Sequence, residues 1–346
     1  MDQSLLLGVA TGALAIAAVA AMSTCEPKMT SSAHRHLLKL ETGRTVAYYT
    51  FSEESQSRPI LYLHGFPGSG MEPVPYGLSK NAPDQIVGMD RPGLGHTSQK
   101  DDDDNEKDPF YTCTSDIWAL VEHLGWESFS VIGLSGGGPH AMALLASYLS
   151  STELPKIEKI AFVGAICMSG GTEGMMAANQ ASSKMVENYK ISLMTRLLLR
   201  LVYTAISIVL RILPDQVMHF ILKSNKDIPK VDQKVVARNV EGITELFRVS
   251  LRQGAPGLLA DLRRCFGTHA EVENIVRYHY ADESKDDLPE IYIHHGKMDV
   301  NVPFCHGQHM HENIFHKKSK LISFEHHGHF PLIAEESETY VKSVMI

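Results

Sequence analysis

Short apolar runs alternate with amphipathic stretches along most of the chain. Runs rich in β-branched and other apolar residues lie near residues 60, 86 and 131, at 160–168, and near 291 and 321. Stretches with apolar residues at helical spacing lie at 113–124, 140–149, 304–315 and 333–344, and 37–51 has the pattern of an N-terminal hairpin. Apolar runs of this length indicate buried strands. Their alternation with helices predicts an α/β fold with a mostly parallel central sheet flanked by helices.

The alternation breaks between residues 171 and 288, where the pattern is largely helical and lacks strand-like runs. We therefore expect an N-terminal hydrophobic anchor and linker at 1–36, the first part of the core at 37–170, a helical cap at 171–288, and the second part of the core at 289–346. A cap of this kind would exclude water from a site in the core and shape its pocket.

Residues 133–137, Gly-Leu-Ser-Gly-Gly, lie between an apolar run and an Ala-rich helical pattern. In this strand–turn–helix context, a G-x-S-x-G segment is a tight turn that presents the serine clear of the sheet. Gly133 and Gly137 are expected to be small because strand and helix nearly touch there. The sequence therefore predicts Ser135 as a nucleophile. The alternative is a Gly-rich turn that contains a serine.

A second glycine-rich turn, His-Gly-Phe-Pro-Gly at 64–68, follows the apolar run at 60–63. Cleavage of an ester or amide passes through a tetrahedral oxyanion, which two preorganised backbone N–H groups stabilise by several kcal/mol. We predict Phe66 as one donor and Gly136, directly after the serine, as the other. The alternative is an ordinary turn built from Gly and Pro.

Two later strand-like runs are each followed by a turn that carries a titratable residue. Asp299 follows the run near 291, and His329 lies in a Gly-His-Phe turn after the run near 321. His329 would take the proton from the serine, and Asp299 would fix its tautomer and stabilise the imidazolium. The alternative for Asp299 is a solvated turn residue.

The remaining histidines and glycines predict neither a metal nor a cofactor. His326 and His327 are interpreted as surface neighbours of His329, or with it as adventitious metal ligands, and His294 and His295 as structural residues. No second cluster has the spacing that would complete a tetrahedral zinc site. The serine-centred spacing of the elbow glycines fits the elbow better than a dinucleotide-binding fingerprint.

With these motifs, the chain from about residue 38 onward resembles the α/β-hydrolase superfamily. The turn at 90–97, Asp-Arg-Pro-Gly-Leu-Gly-His-Thr, is similar to the D-x-P-G-x-G-x-S turn of that superfamily. The resemblance implies the α/β-hydrolase fold with a helical cap, and roles for Asp90 and Arg91 in bracing a loop. Epoxide hydrolases and haloalkane dehalogenases have a similar His-Gly-x-Pro loop but place Asp at the nucleophile. Ser135 at that position favours acyl transfer to a serine.

Charge and composition fit an enzyme that does not act on nucleic acid. The 346 residues carry a net charge of −8, which disfavours nucleic acid as a partner. Residues 3–25 contain no charged side chain, which suits one transmembrane helix. Lys28, Arg35 and Lys39 follow it, so the positive-inside rule would leave the catalytic domain in the cytosol. The alternative is a cleaved signal peptide and secretion.

The cap contains a second apolar segment, at 197–213. Residues 188–224 carry five Lys and Arg residues against one Asp. A basic, apolar helix of this kind can lie on an anionic membrane surface, or it can be a buried cap helix.

We therefore expect a membrane-associated serine hydrolase that cleaves a small lipophilic carboxylic ester. One alternative is an acyltransferase with the same triad. The other is a ligand-binding protein on a hydrolase scaffold, against which an intact triad argues.

Overall fold

A computed structural model describes residues 33–52, 59–81, 85–99, 108–189, 193–224, 228–285 and 287–345. The predicted anchor, apart from residues 33–36, lies outside these ranges. Eight strands form one sheet in the order β1-β2-β4-β3-β5-β6-β7-β8. They are β1 (His34–Lys39), β2 (Thr45–Thr50), β3 (Ile60–Leu63), β4 (Ile86–Met89), β5 (Ser128–Leu134), β6 (Lys156–Val163), β7 (Glu290–Gly296) and β8 (Ser319–Phe324).

The sheet is parallel from β4 to β8, and only β1 and β2 run antiparallel to their neighbours. The helices of the core are α1 (Leu78–Asn81), α2 (Tyr111–His123), α3 (Gly138–Leu149), α11 (Cys305–His309, continued by a π-helical turn at Met310–Ile314), α12 (His329–Glu335) and α13 (Ser337–Val344). The mostly parallel sheet with flanking helices confirms the predicted fold class.

The two faces of the sheet pack into separate apolar cores. Along β3, Leu61 and Leu63 join one core with side chains of α2 and α3, and Ile60 and Tyr62 join the other with side chains of α13. Successive side chains of a strand point to opposite faces, so a strand covered on both sides is apolar throughout. This is why the strands appear in the sequence as continuous apolar runs.

In the described part of the predicted cap there are seven helices. They are α4 (Ala177–Tyr189), α5 (Leu193–Ile212), α6 (Asp215–Ser224), α7 (Lys230–Arg238), α8 (Val240–Ser250), α9 (Ala255–Phe266) and α10 (Ala270–Ala281). Val276 and Tyr280 of α10 belong to the core that contains α2 and α3. The last helix of the insertion is therefore packed against the core. The predicted domain limits stay predictions.

Two predicted elements have different limits in the structure. The strand expected at 160–168 ends at Val163, because Gly164 turns the chain with a φ of +50°. The single helix expected at 333–344 is two helices, α12 and α13, that meet at Glu336. Within the described part of the chain, no single helix has the length and hydropathy of a membrane span. The bent pair Arg200–Leu210 and Asp215–Ser224, at 112°, meets that test by length and composition only.

Candidate active site

Ser135 lies in a sharp turn between β5 and α3. Its φ is +50°, a region that costs free energy for any residue with a side chain. A Cβ added at Gly133 would lie 2.7 Å from Cβ of Ala141, and one at Gly137 would overlap the carbonyl oxygen of Leu63. The close approach predicted for these two glycines is therefore present, and the turn presents Ser135 to a cavity.

The structure joins the predicted nucleophile, base and acid by hydrogen bonds. His329 Nε2 lies 3.0 Å from Ser135 Oγ, and His329 Nδ1 lies 2.6 Å from Asp299 Oδ2. His329 begins α12 and Asp299 follows β7, so three carboxyl-terminal ends of parallel strands supply the three residues. In this arrangement Nδ1–H donates to the carboxylate and Nε2 can accept the serine proton.

The charges around His329 favour its protonated form. Burial alone would lower the pKa of His329, but the charge and hydrogen bond of Asp299 outweigh it. The charges of Asp232 and Glu72 act in the same direction, so the pKa of His329 is raised above its ordinary value. A histidine of this kind is a stronger base toward a serine hydroxyl than a free imidazole.

Backbone groups fix the orientation of Asp299. Its Oδ1 accepts hydrogen bonds from the N–H groups of Asn301 and Val302, both at 2.8 Å. His295 Nε2–H donates to the carbonyl oxygen of Val302 at 2.8 Å, which agrees with a structural role for that histidine. A Cβ at Gly164 would lie 3.2 Å from His329 Nδ1 and 3.4 Å from Asp299 Oδ2. The glycine that ends β6 therefore leaves room for the acid–base pair.

The two predicted oxyanion donors lie side by side. A Cβ at Gly136 would be 3.0 Å from the backbone nitrogen of Phe66, and one at Gly65 would be 3.6 Å from Cβ of Ser135. The loop therefore brings the backbone of Phe66 next to the residue that follows the serine, as two N–H groups facing one oxyanion require.

Arg91 holds this loop to the cap. It donates to the carbonyl oxygens of His64 and Gly65, the second at 2.9 Å, and pairs with Asp261 of α9 at 2.6 Å. Both side chains of the pair are fully buried. Asp90 accepts hydrogen bonds from several neighbours, among them Ser69 and Gly70. Bracing by both residues was expected, but the sequence did not indicate that Arg91 reaches the cap.

Two further carboxyl groups near the site were not predicted from the sequence. Glu72 Oε2 accepts hydrogen bonds from the N–H of Gly65 at 2.7 Å and from the hydroxyl of Tyr62 at 3.0 Å. Burial raises the pKa of Glu72 to about 7. Asp232 lies on cap helix α7, and burial raises its pKa to about 6. Neither residue is part of a short motif, so only the folded chain reveals them.

The competing histidines lie apart from Ser135. His326 is exposed, and His327 pairs with Glu336 at 3.2 Å. His294 lies 3.1 Å from the hydroxyl of Ser343. Of these candidates, it is His329 that the structure brings to the serine.

One group in the described part of the chain has ligand atoms close enough for a metal ion, namely His140, Asp261 and Cys265. The Asp261 carboxylate already contacts Arg91 and His140. Burial raises the pKa of the Cys265 thiol well above its ordinary value, which disfavours the thiolate that metals bind. These residues therefore fit a metal poorly.

A cavity of about 240 Å³ opens beside the triad. Core and cap both contribute to its wall, which includes Ser135 and His329 at one side. Its other lining residues are mainly apolar and include Phe66, Met176, Leu222, Val236, Leu246 and Phe266. Such a space beside the serine suits an apolar group.

Sequence comparison finds the same fold family. Residues 58–189 match the family described as alpha/beta hydrolase fold. A stretch of 100 residues is 37% identical to a "Serine hydrolase-like protein" from Danio rerio. This match covers 29% of the chain and 30% of the relative's length.

Solved structures with this fold cover almost the whole chain. An esterase from Exiguobacterium antarcticum is similar with a TM-score of 0.57 and 17% identity, over 90% of this chain and 99% of that one. A bromoperoxidase from Bacillus anthracis is similar with a TM-score of 0.54 and 16% identity, over 90% and 98%. At such identities the likeness shows the fold alone. Together with the family match over residues 58–189 and the sheet order, it shows that the chain has the α/β-hydrolase fold.

Proposed function

We propose that the protein is a serine hydrolase that cleaves a lipophilic carboxylic ester. The hydrogen-bonded series Ser135–His329–Asp299 beside an apolar cavity supports this best. The superfamily, with an esterase among the similar structures and a serine hydrolase-like relative, supports a hydrolase. A protein that only bound a ligand would need neither a strained serine nor a base of raised pKa.

In the proposed reaction, Ser135 Oγ attacks the ester carbonyl while His329 Nε2 takes the hydroxyl proton. The new C–O bond displaces the carbonyl π electrons onto oxygen, and the N–H groups of Phe66 and Gly136 stabilise that oxyanion. Its collapse breaks the bond to the alcohol, which leaves with the proton from His329. Water then attacks the acyl-enzyme while His329 takes one of its protons, and collapse of the second tetrahedral intermediate returns that proton to Ser135 Oγ and releases the carboxylic acid, which ionises in solvent.

The nature of the cavity argues for an apolar acyl or alcohol group. About 240 Å³ is small for a ligand site, since such pockets commonly measure about 300–1,000 Å³. Branched and aromatic side chains from the cap form much of its wall. An ester with a short or medium apolar chain would fill this space without leaving polar groups unpaired.

Labelling with a fluorophosphonate probe tests the proposed nucleophile. We expect the wild type to react, Ser135→Ala to lose the reaction, and Asp299→Asn to react roughly 10³-fold more slowly or worse because the tautomer of His329 is no longer fixed. Ser169→Ala is the matched control, since Ser169 Oγ also lies beside a histidine, 2.8 Å from Nε2 of His309, at the surface. Full labelling of Ser135→Ala, or folded wild type that neither labels nor cleaves any of a panel of esters, would contradict the proposal.

We further propose that the cap docks on an anionic phospholipid surface. Nine of the fourteen exposed large apolar side chains in the described residues lie on α5 and α6. They are Leu197, Leu201, Val202, Ile206, Val209, Ile212, Val217, Phe220 and Ile221. Tyr203 and Leu210, on the opposite side of α5, pack toward α9 and the oxyanion loop. α5 is thus apolar on two sides, and among the described residues protein covers only the side that bears Tyr203 and Leu210.

The charge of this segment favours lipid over a second protein surface. Residues 188–224 carry five Lys and Arg against one Asp, although the whole chain carries a net charge of −8. Two copies of so basic a segment would repel each other, whereas anionic headgroups attract it. Leu222 of α6 also lines the cavity, so a lipophilic ester could enter from the membrane beside it.

Tryptophan placed on this face reports contact with lipid independently of the N-terminal segment. Phe220→Trp should be quenched by brominated lipid in vesicles that contain phosphatidylserine. Tyr278→Trp is the control, because Tyr278 is equally exposed, at 74% against 71%, but lies on α10. Equal quenching of the two variants would overturn the proposal, as would dimerisation that Phe220→Ser abolishes without any quenching.

A further inference from the structure

Asp232, a residue of cap helix α7, reaches the turn that carries His329. Its Oδ1 accepts a hydrogen bond from the N–H of Phe330 at 2.9 Å, and its side chain is fully buried. A Cβ at Gly328 would overlap the Asp232 carboxylate. Both neighbours of His329 in the chain therefore contact the Asp232 carboxylate: Phe330 donates a hydrogen bond to it, and Gly328 packs closely against it.

The charge of Asp232 raises the pKa of the catalytic base His329. It favours the imidazolium form of His329, on top of the larger effect of Asp299. Other titratable groups that act on His329 include Glu72, which also favours imidazolium, and His295. Asp232 itself faces His329 and Asp299, and burial raises its pKa to about 6.

Packing alone does not explain why a carboxylate is buried at position 232. A neutral acceptor would serve the N–H of Phe330 equally well, without the cost of burying a carboxylate. The second oxygen, Oδ2, is buried and makes no hydrogen bond of ordinary geometry to the described side chains or backbone, although the carboxylate also faces the backbone N–H of His329. A buried carboxylate stabilises positive charge that forms close to it. Close to Asp232, that charge forms when His329 is protonated.

We infer that Asp232 is a positioning residue, through which the cap holds the turn that bears His329 and stabilises the imidazolium formed when Ser135 attacks. This rests on the proposed function. It adds that the cap takes part in the acid–base chemistry, in addition to covering the site.

The pH dependence of fluorophosphonate labelling tests this inference. In Asp232→Asn, an amide oxygen can still accept from Phe330, but the charge is gone. The acidic limb of the rate profile should therefore move to lower pH. The ratio of the rate at about pH 6.5, where Asp232 is still mostly charged in the wild type, to the rate at about pH 8 should at least roughly double. Glu241→Gln, which neutralises an exposed carboxylate on cap helix α8, is the matched control and should keep the wild-type profile.

Two further variants distinguish the effect of losing the charge from a failure to fold. Asp232→Glu should restore the wild-type limb, and Asp232→Ser should show the shifted limb even if Asp232→Asn does not fold. Profiles of Asp232→Asn or Asp232→Ser that superimpose on the wild type would overturn the inference while leaving the serine hydrolase intact. Wild type that does not label at any pH would instead contradict the proposed function.

Discussion

Glu72 is the residue on which the shape of the oxyanion loop most directly depends. One of its oxygens accepts from both Gly65 N–H and Tyr62 O–H, in a fully buried place next to the predicted donor Phe66. Without that acceptor, each buried donor left unpaired would cost about 1–3 kcal/mol of folding free energy, and the peptide group of Gly65 could rotate. Glu72 thus acts on the transition state through the loop and has no need to contact the substrate.

We expect Glu72→Ala to lower kcat for a p-nitrophenyl ester by about 10- to 100-fold with little change in KM, because oxyanion donors act mainly in the transition state. Glu72→Gln retains an oxygen acceptor and should keep most of the activity. Steady-state kinetics on variants with unchanged circular dichroism measures this. A folded Glu72→Ala with wild-type kcat would show that the loop holds its shape without the carboxylate.

At the scale of elements, the cap is tied to the site by two buried carboxylates. Asp261 on α9 reaches the oxyanion loop through Arg91, and Asp232 on α7 reaches the turn of His329. A helix packed only by apolar side chains can shift with small cost. Breaking the buried Arg91–Asp261 ion pair costs several kcal/mol, and leaving the Phe330 N–H without Asp232 costs about 1–3 kcal/mol. The cap position and the geometry of both catalytic loops are therefore coupled.

The elements themselves were largely predictable, because buried strands and amphipathic helices have short-range patterns. Two element ends are exceptions. β6 ends at Val163 because Gly164 turns the chain there, and that glycine leaves room for His329 and Asp299, which are distant in sequence. The C-terminal helix breaks at Glu336, which the apolar spacing of the sequence did not indicate.

Across the whole molecule, the predicted site residues lie in local sequence motifs, and the unpredicted ones are brought to the site by folding. Ser135, Phe66 and Gly136 belong to glycine-rich turns whose geometry is local, and Asp299 and His329 follow strands in a fixed order. Glu72, Asp232 and Asp261 matter only because folding buries them beside those turns. Short motifs therefore predict which atoms would react, while the residues that hold those atoms in place emerge only from the packed chain.

The buried histidines give the whole molecule a predictable sensitivity to acid. Burial lowers the pKa of four of them in the folded chain, to about 3 for His64 and about 4 for His140, His294 and His306. In the unfolded chain they titrate near 6.5. Between about pH 6.5 and about pH 4 the unfolded chain therefore binds protons that the folded chain does not, so stability falls as the pH falls through this range. Glu72, Asp232 and His329, whose pKa values are raised, act in the opposite direction, but burial also lowers the pKa of His295, so three groups stand against five.

We expect the free energy of unfolding in urea to drop by on the order of a few kcal/mol between about pH 7 and about pH 5. His294→Phe should reduce that drop, since His294 already stacks on Phe324 and a phenyl ring there would stay uncharged at every pH. His326→Asn changes an exposed histidine and should leave the drop unchanged. Equal pH dependence in all three proteins would mean that His294 takes up its proton without unfolding, and that the acid sensitivity has another origin.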